Sequence, residues 1–237
     1  MAQALVELGP GDWTGCLAID VGAGTGLASQ VLVGRGASVI AVDLAHAMLA
    51  RDRRGRPPSV VGDAAALPLR EGVADVAVLA FCLNHAPEPE AMLAELRRVL
   101  RPGGAVLSST FAGDRSEPVK ERVDATLVSF GFTPPPWRAR MAGTGEERCG
   151  DPDELARMAA AAGLVEVAVE RIDVVVDRLD AGALVDWRLG MAHCAEWVDG
   201  LDGARRGKVR AAACDAVADL ADHPVVVPML ALAARAR

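Results

Sequence analysis

The 237-residue chain contains no tyrosine, and aromatic side chains make up only 3% of it. Lysine occurs at positions 120 and 208 only. At a net charge of −7 the chain lacks the clustered cations that a nucleic-acid surface needs. Its arginines are scattered. The densest group, Arg51, Arg53, Arg54 and Arg56, falls in a Gly/Pro-rich connector and reads as a solvated loop. Cysteine is sparse and odd in number: Cys16, Cys82, Cys149, Cys194 and Cys214 stand far apart, without a Cys-x-x-Cys pair. That usage fits a reducing cytoplasm and supplies no zinc framework, so no metal is expected. No segment approaches the roughly 20 apolar residues of a membrane span. The opening "MAQALVELGPGDW" has neither a basic flank nor a continuous apolar stretch, which argues against a signal peptide. A cytoplasmic protein with no nucleic-acid or membrane partner is expected. Its oligomeric state is left open, a homodimer included. The alanine and arginine bias suggests a high-GC bacterial genome.

What is present is an alternation of strand-like and helix-like segments, the mark of an α/β, doubly wound, mostly parallel sheet. Seven strands can be read: "CLAIDV", "SVIAVD", "SVVGD", "VADVAVLAF", "AVLSSTF", "LVEVAVERIDVVVD" and "PVVVPMLALAA". The sixth slips phase near Glu170 and Arg171, which predicts a bulge or a break. In the last, Pro228 cannot donate to a ladder and belongs before or at the strand's start. Met92, Leu93, Leu96, Val99 and Leu100 share one face of an amphipathic helix, and "RPGG" is expected to end it. "DPDELARMAAAAG" predicts a helix with Asp151 as N-cap, Pro152 as first residue and Glu154 as reciprocal cap. The whole, 1–237, reads as one domain with helical lid insertions at about 112–150 and 178–222. The second is expected to hold two helices, with Val185, Leu189, His193 and Trp197 on one face of the first.

The informative stretch is "AIDVGAGTGLASQ". Glycines at 22, 24 and 26 permit a tight turn and a close approach of backbone to ligand, and the following helix offers free N–H groups. A dinucleotide loop would carry its third glycine at position 27, where Leu27 stands, so a nicotinamide cofactor is disfavoured. Asp43 closes the second strand about 20 residues on, where a carboxylate can accept both ribose hydroxyls. Asp63 closes the third, placed to meet an adenine amino group. Asp20, Asp43 and Asp63 at three successive strand ends form a crevice suited to one adenosine with an amino-acid tail.

From Leu17 to Phe111 the chain resembles the class I S-adenosylmethionine-dependent methyltransferases of the small-molecule type, the ubiquinone-biosynthesis-like group among them. "DVGAGTG" is similar to the family's first motif, "VIAVDLAHAML" to its ribose segment, "GDAAALPL" to its adenine segment and "LRRVLRPGG" to the turn into the fifth strand. The resemblance implies S-adenosyl-L-methionine as cofactor and S-adenosyl-L-homocysteine as product. It assigns Asp20, Gly22, Ala23 and Gly24 to the methionine end. Asp43 would take the ribose, with Leu44 and Met48 beside the adenosine, and Asp63 and Ala64 would edge the adenine. Backbone at Ala80 and Phe81 would face the amino group. Family members usually carry an N-terminal helix, often with a tyrosine, that closes over the cofactor. Here fewer than 20 residues precede the first strand, so closure is expected from the insertions, with Trp137, Trp187 and Trp197 as walls, or from a partner.

Methyl transfer needs collinear placement and exclusion of water, and a base only for hydroxyl, acidic-carbon or protonated-amine acceptors. His85, after the fourth strand, and His193, on the insertion stripe, are the candidate bases. Asn84 could orient a substrate polar group or cap the next helix. Trp, Phe, Met and Leu in the insertions favour an apolar or aromatic, natural-product-like acceptor of the kind methylated in secondary metabolism or antibiotic biosynthesis. Two other readings keep the same cofactor site: a non-methylating, cyclase-like catalyst and a non-catalytic scaffold.

Overall fold

A computed structural model describes residues 1–51, 55–86, 88–114, 118–136, 138, 145, 147–221 and 223–237. Its strands are β1 (Leu17–Val21), β2 (Ser38–Asp43), β3 (Ser59–Val61), β4 (Ala74–Ala80), β5 (Leu100–Phe111), β6 (Leu164–Val176) and β7 (Val225–Ala236). They form one seven-stranded sheet in the order β3-β2-β1-β4-β5-β7-β6. β1 to β5 pair in parallel, and β7 runs antiparallel to β5. After β3 the chain crosses back to the other side of β1, so the strand order reverses between β1 and β4. Open α/β sheets receive ligands at such a reversal, outside the carboxyl ends of the strands.

The chain divides into two compact units. The first comprises Met1–Gly113, Gly143–Val174 and Pro228–Arg237. Period-2 alternation sends successive strand residues to opposite faces of its sheet. Ile19, Val21, Ala77, Leu79, Val106, Leu230 and Leu232 face one way. They pack against Met92, Leu93, Leu96 and Val99 of α4 (Pro89–Val99) and Leu155, Met158 and Ala159 of α6 (Pro152–Ala161). Ala18, Val39, Val76, Val78, Ala105, Leu107, Met229 and Ala231 face the other way. They meet Leu5 and Val6 of α1 (Ala2–Val6), Trp13, and Ala28 and Leu32 of α2 (Leu27–Gly34). Burial on both faces explains the near-continuous apolar runs of the strands. The N-terminal segment, short as it is, thus forms a small helix within this core.

Several local expectations are corrected. "RPGG" does not end α4 in a free turn: β5 begins at Leu100, and 101–104 loop out of register between Ala74↔Leu100 and Val76↔Ala105. Of the bulge or break expected in β6, the break is absent, and the phase slip shows as two consecutive exposed residues, Glu170 and Arg171. Pro228 lies inside β7, at the margin where pairing with β5 begins at Met229. Asp151 caps α6, its Oδ1 accepting from the Glu154 amide at 2.8 Å. The Glu154 carboxylate does not cap in return, because it is taken by Arg148 and Arg157.

The second unit comprises Asp114–Ala142 and Val175–Val227. It packs α5 (Pro118–Ser129), α7 (Ala181–Leu189), α8 (Ala192–Asp199) and α9 (Gly203–Ala216) around Val119, Val123, Leu127, Leu184, Val185, Val198 and Val209. Three helices occupy the later insertion rather than two, since the expected long helix is interrupted at Gly190, the C-cap of α7. Asp180 and Asp202 cap α7 and α9 through carboxylates that accept from the Ala183 and Arg205 amides. Among the described residues no helix is long and apolar enough to cross a membrane.

Arg188, 4% exposed, donates from Nε and Nη2 to the two Asp124 oxygens at 2.7 and 2.6 Å. Removing one member of such a pair leaves a charge buried alone. Asp124→Ala is therefore expected to lower stability by roughly 3 kcal/mol, read as a shift of the urea midpoint followed by helical circular dichroism.

Candidate active site

At the end of β1 the chain must turn away with another strand's continuation directly behind it. A Cβ at Gly22 would lie 2.3 Å from Cys82 Sγ and 2.7 Å from Cys82 Cβ, and φ there is +67°. Only glycine fits both the contact and the left-handed backbone. Gly24 and Gly26 also have positive φ. The amides of Gly22 and Ala23 donate to Val42 O at 2.8 and 3.1 Å, which fastens the turn to β2. Gly26, as N-cap of α2, then releases the chain into the helix.

Asp43 uses both oxygens on backbone: Oδ2 accepts from the Gly24 amide at 2.7 Å and Oδ1 from Ala45 at 2.8 Å. The proposed ribose acceptor is thus also the brace of the glycine loop. Asp20 is buried, 1% exposed, with Oδ2 accepting from Ser29 Oγ of α2 at 2.5 Å. Burial pushes its pKa up to about 6, partly countered by the Ser29 hydrogen bonds. Asp63 is exposed and opens a turn, with Oδ1 accepting from the Ala65 amide at 2.8 Å; Ala64 packs against the core. Leu27 (69% exposed), Leu44 (72%) and Met48 (39%) border the loop with their apolar side chains open. Met48, in the short helix α3 (His46–Ala50), brings its Cε within 3.7 Å of a Cβ built at Gly24.

Beyond Ala80 the backbone is strained: Phe81 has φ of +52°, rare for an aromatic residue. It is held there by its amide, which donates to Ser109 O at 2.9 Å, and by its ring, 4.5 Å from that of Phe111. Strained backbone of this kind concentrates at functional sites. Cys82 is inert, its thiol pushed up to about 12 by burial and by Asp43 and Asp20. Leu83–His85 form a single 3-10 turn. Asn84 is 5% exposed, and its Oδ1 has no hydrogen-bond partner among the described residues. Gly145 closes over this turn so tightly that a Cβ there would lie 2.5 Å from Asn84 O. Ser109 Oγ, near the carboxyl end of β5, is likewise buried without a partner. Buried polar atoms left open where ligands enter an α/β sheet are what a polar ligand would satisfy.

Of the candidate bases, His85 is exposed on the turn after β4. His193 belongs to the helical unit, on α8, where burial and Arg188 push its pKa down. Asp124, His193 and Cys194 bring ligand atoms within 4.8 Å of one another. Arg188 occupies both Asp124 oxygens, however, and burial pushes the Cys194 thiol up, so the cluster's chemistry suits an ion pair better than a metal. Trp187 on α7 is 48% exposed, whereas Trp197 packs edge-on against Phe132 at 5.4 Å. Trp137 lies outside the described residues. Sequence reasoning missed Ser29, Ser109 and Arg56, whose guanidinium bonds the loop at Gly24 O. Expecting a solvated connector was an error for Arg56, because the acceptors it meets are backbone carbonyls that leave no side-chain signal.

Residues 19–108 match the family model described as a methyltransferase domain. The demethylmenaquinone methyltransferase of Renibacterium salmoninarum is 38% identical over 96 residues, 40% of each chain. That of Mycobacterium tuberculosis strain H37Rv is 34% identical over 110 residues, 46% of this chain and 45% of the relative. The chain thus aligns with less than half the length of these curated relatives. A putative methyltransferase from an antibiotic biosynthesis pathway of Anabaena variabilis superposes with TM-score 0.64 at 17% identity, covering 97% of this chain and 95% of that one. The [4+2]-cyclase SpnF superposes with TM-score 0.61 at 21% identity, covering 99% and 79%. The chain shares the fold of these solved structures, and within it residues 19–108 are similar to a methyltransferase domain.

Two outcomes test this geometry. Gly22→Ala is expected to lose about 1–3 kcal/mol of stability, and adding Cys82→Gly recovers the contact part while leaving the left-handed cost of about 1 kcal/mol; a urea double-mutant cycle reads both. Asp20 carries a raised pKa, so its contribution to stability is full below 3.8 and lost as pH rises through about 6. The wild type should accordingly weaken relative to Asp20→Asn by about 2 kcal/mol between pH 4 and 7, measured as urea midpoints across that range.

Proposed function

We propose that this protein transfers a methyl group from S-adenosyl-L-methionine to a small apolar or aromatic acceptor. The observation that carries the reading is the clasped glycine loop between β1 and α2, with Asp20 and Asp43 at the ends of β1 and β2 and Asp63 in the turn just past β3. The residues fit the cofactor. Left-handed glycines admit close backbone approach, carboxylates suit a cation with two ribose hydroxyls, and Asn84 Oδ1 and Ser109 Oγ are buried acceptors awaiting donors. When bound, the cofactor supplies a methyl on a sulfonium whose leaving group is neutral. The chain's part is then to bind, to orient and to keep water out.

In this reading Asp20, Gly22, Ala23 and Gly24 hold the methionine end and Asp43 the ribose. Leu44 and Met48 flank the adenosine, Asp63 and Ala64 edge the adenine, and the backbone at Ala80 and Phe81 meets the amino group. The open faces of Leu27, Leu44 and Met48 support an apolar covering of the ligand. His85 or His193 serves as base where the acceptor must lose a proton. Acceptor choice is assigned to the helical insertions, with Trp187 and Trp197 as aromatic surfaces, and to Asn84. The demethylmenaquinone enzymes support testing flat, quinone-like and phenolic acceptors first.

Calorimetric titration with S-adenosylmethionine and S-adenosylhomocysteine is expected to give micromolar binding, with none for NAD. Asp43→Ala should weaken it at least tenfold, since it removes charged acceptors of ribose and loop together. Methylation yields S-adenosylhomocysteine in proportion to methylated product; an intact cofactor beside a converted acceptor would replace the reading by a cyclase-like one.

A further inference from the structure

We infer that Arg56 is a positioning residue for the cofactor loop. It acts through the backbone of Gly24 and of α3 rather than by contact with the reacting atoms. The inference rests on the methyltransferase reading for its consequence, but the clasp itself is a property of the chain alone.

Residue 24 is gripped from both sides by side chains of opposite charge. Its N–H donates to Asp43 Oδ2 at 2.7 Å, and its C=O accepts from Arg56 Nη1 at 3.1 Å. The same guanidinium reaches onward: Nη2 donates to Met48 O and to Arg51 O, each at 3.3 Å. It also lies against Gly26, where a Cβ would meet Nη2 at 3.6 Å. One planar fork therefore joins the glycine loop to both the helical and the trailing end of the segment that carries Met48.

The consequence follows from flexibility. Glycines lose the most conformational freedom on ordering, and three occur within five residues here. A loop already held in one conformation does not pay that entropy on binding. Because Arg56 bonds Met48 O, it also sets the position of the side chain assigned to the adenosine. Lysine cannot reproduce this, since a single ammonium lacks the fork that serves separated carbonyls.

The test compares wild type, Arg56→Met and Arg56→Lys in the intact chain. Three readouts are used: thermal midpoint, calorimetric affinity for S-adenosylmethionine and S-adenosylhomocysteine, and hydrogen exchange of residues 22–26 without cofactor. Arg56→Met is expected to remain folded, to bind both ligands about tenfold more weakly and to exchange faster at 22–26. Arg56→Lys should recover part of both losses. A purely structural role would lower the midpoint without changing the affinity of the folded fraction. Unchanged affinity and unchanged local exchange in folded Arg56→Met would overturn the inference. Failure of wild type to bind either ligand would instead overturn the functional reading, and the exchange comparison would still decide the clasp. Should Arg56→Met not fold, Arg56→Gln, which keeps a donor, carries the same comparison.

Discussion

Everything at the candidate site depends on how closely two strand ends approach one another. The turn after β1 passes Cys82, at the end of β4, at a distance that leaves no room for a Cβ. That single contact obliges position 22 to be glycine and fixes the direction in which the loop departs. Two residues earlier, the buried Asp20 carboxylate accepts from Ser29 of α2. The strand reversal between β1 and β4 makes the two ends neighbours, and the glycine lets them close.

Around this contact the charges serve twice. Asp43 bonds the backbone of its own helix entry and of the glycine loop, so the carboxylate expected to hold a ribose is first a fastening. Asp20 lies in surroundings that resist its ionisation, and Ser29 offsets part of that cost. A cationic ligand would favour the charged form of Asp20. Strain at Phe81 and the unpartnered oxygens of Asn84 and Ser109 lie at the same end of the sheet. Together they describe a site whose polar groups are prepared before a ligand arrives.

The helical unit obeys different rules. Its stability comes from the apolar stripes of its helices and from the ion pair of buried Arg188 with half-buried Asp124, which joins α5 to α7. Aspartate caps fix where α7 and α9 begin. His193 and Cys194 gather beside that ion pair, and the guanidinium already satisfies the acid a metal would need.

The sequence by itself determined the strands, because runs such as "LAIDV" and "ADVAVLA" are apolar on both faces and need a two-sided core. It also determined the loop's backbone, because glycines at 22, 24 and 26 permit the left-handed conformations that the turn adopts. α4 and α6 were legible from helical spacing and capping residues. Tertiary structure alone decided where side chains find partners distant in sequence. Arg56 grips carbonyls of Gly24 and Met48, Glu154 abandons its cap for Arg148 and Arg157, and "RPGG" loops out where β5 must align with β4. At Gly190 a periodic stripe continues on paper across the exposed glycine that serves as C-cap of α7. Backbone carbonyls and chain register carry no residue-type signature, and this is why these features emerge only when the chain is folded.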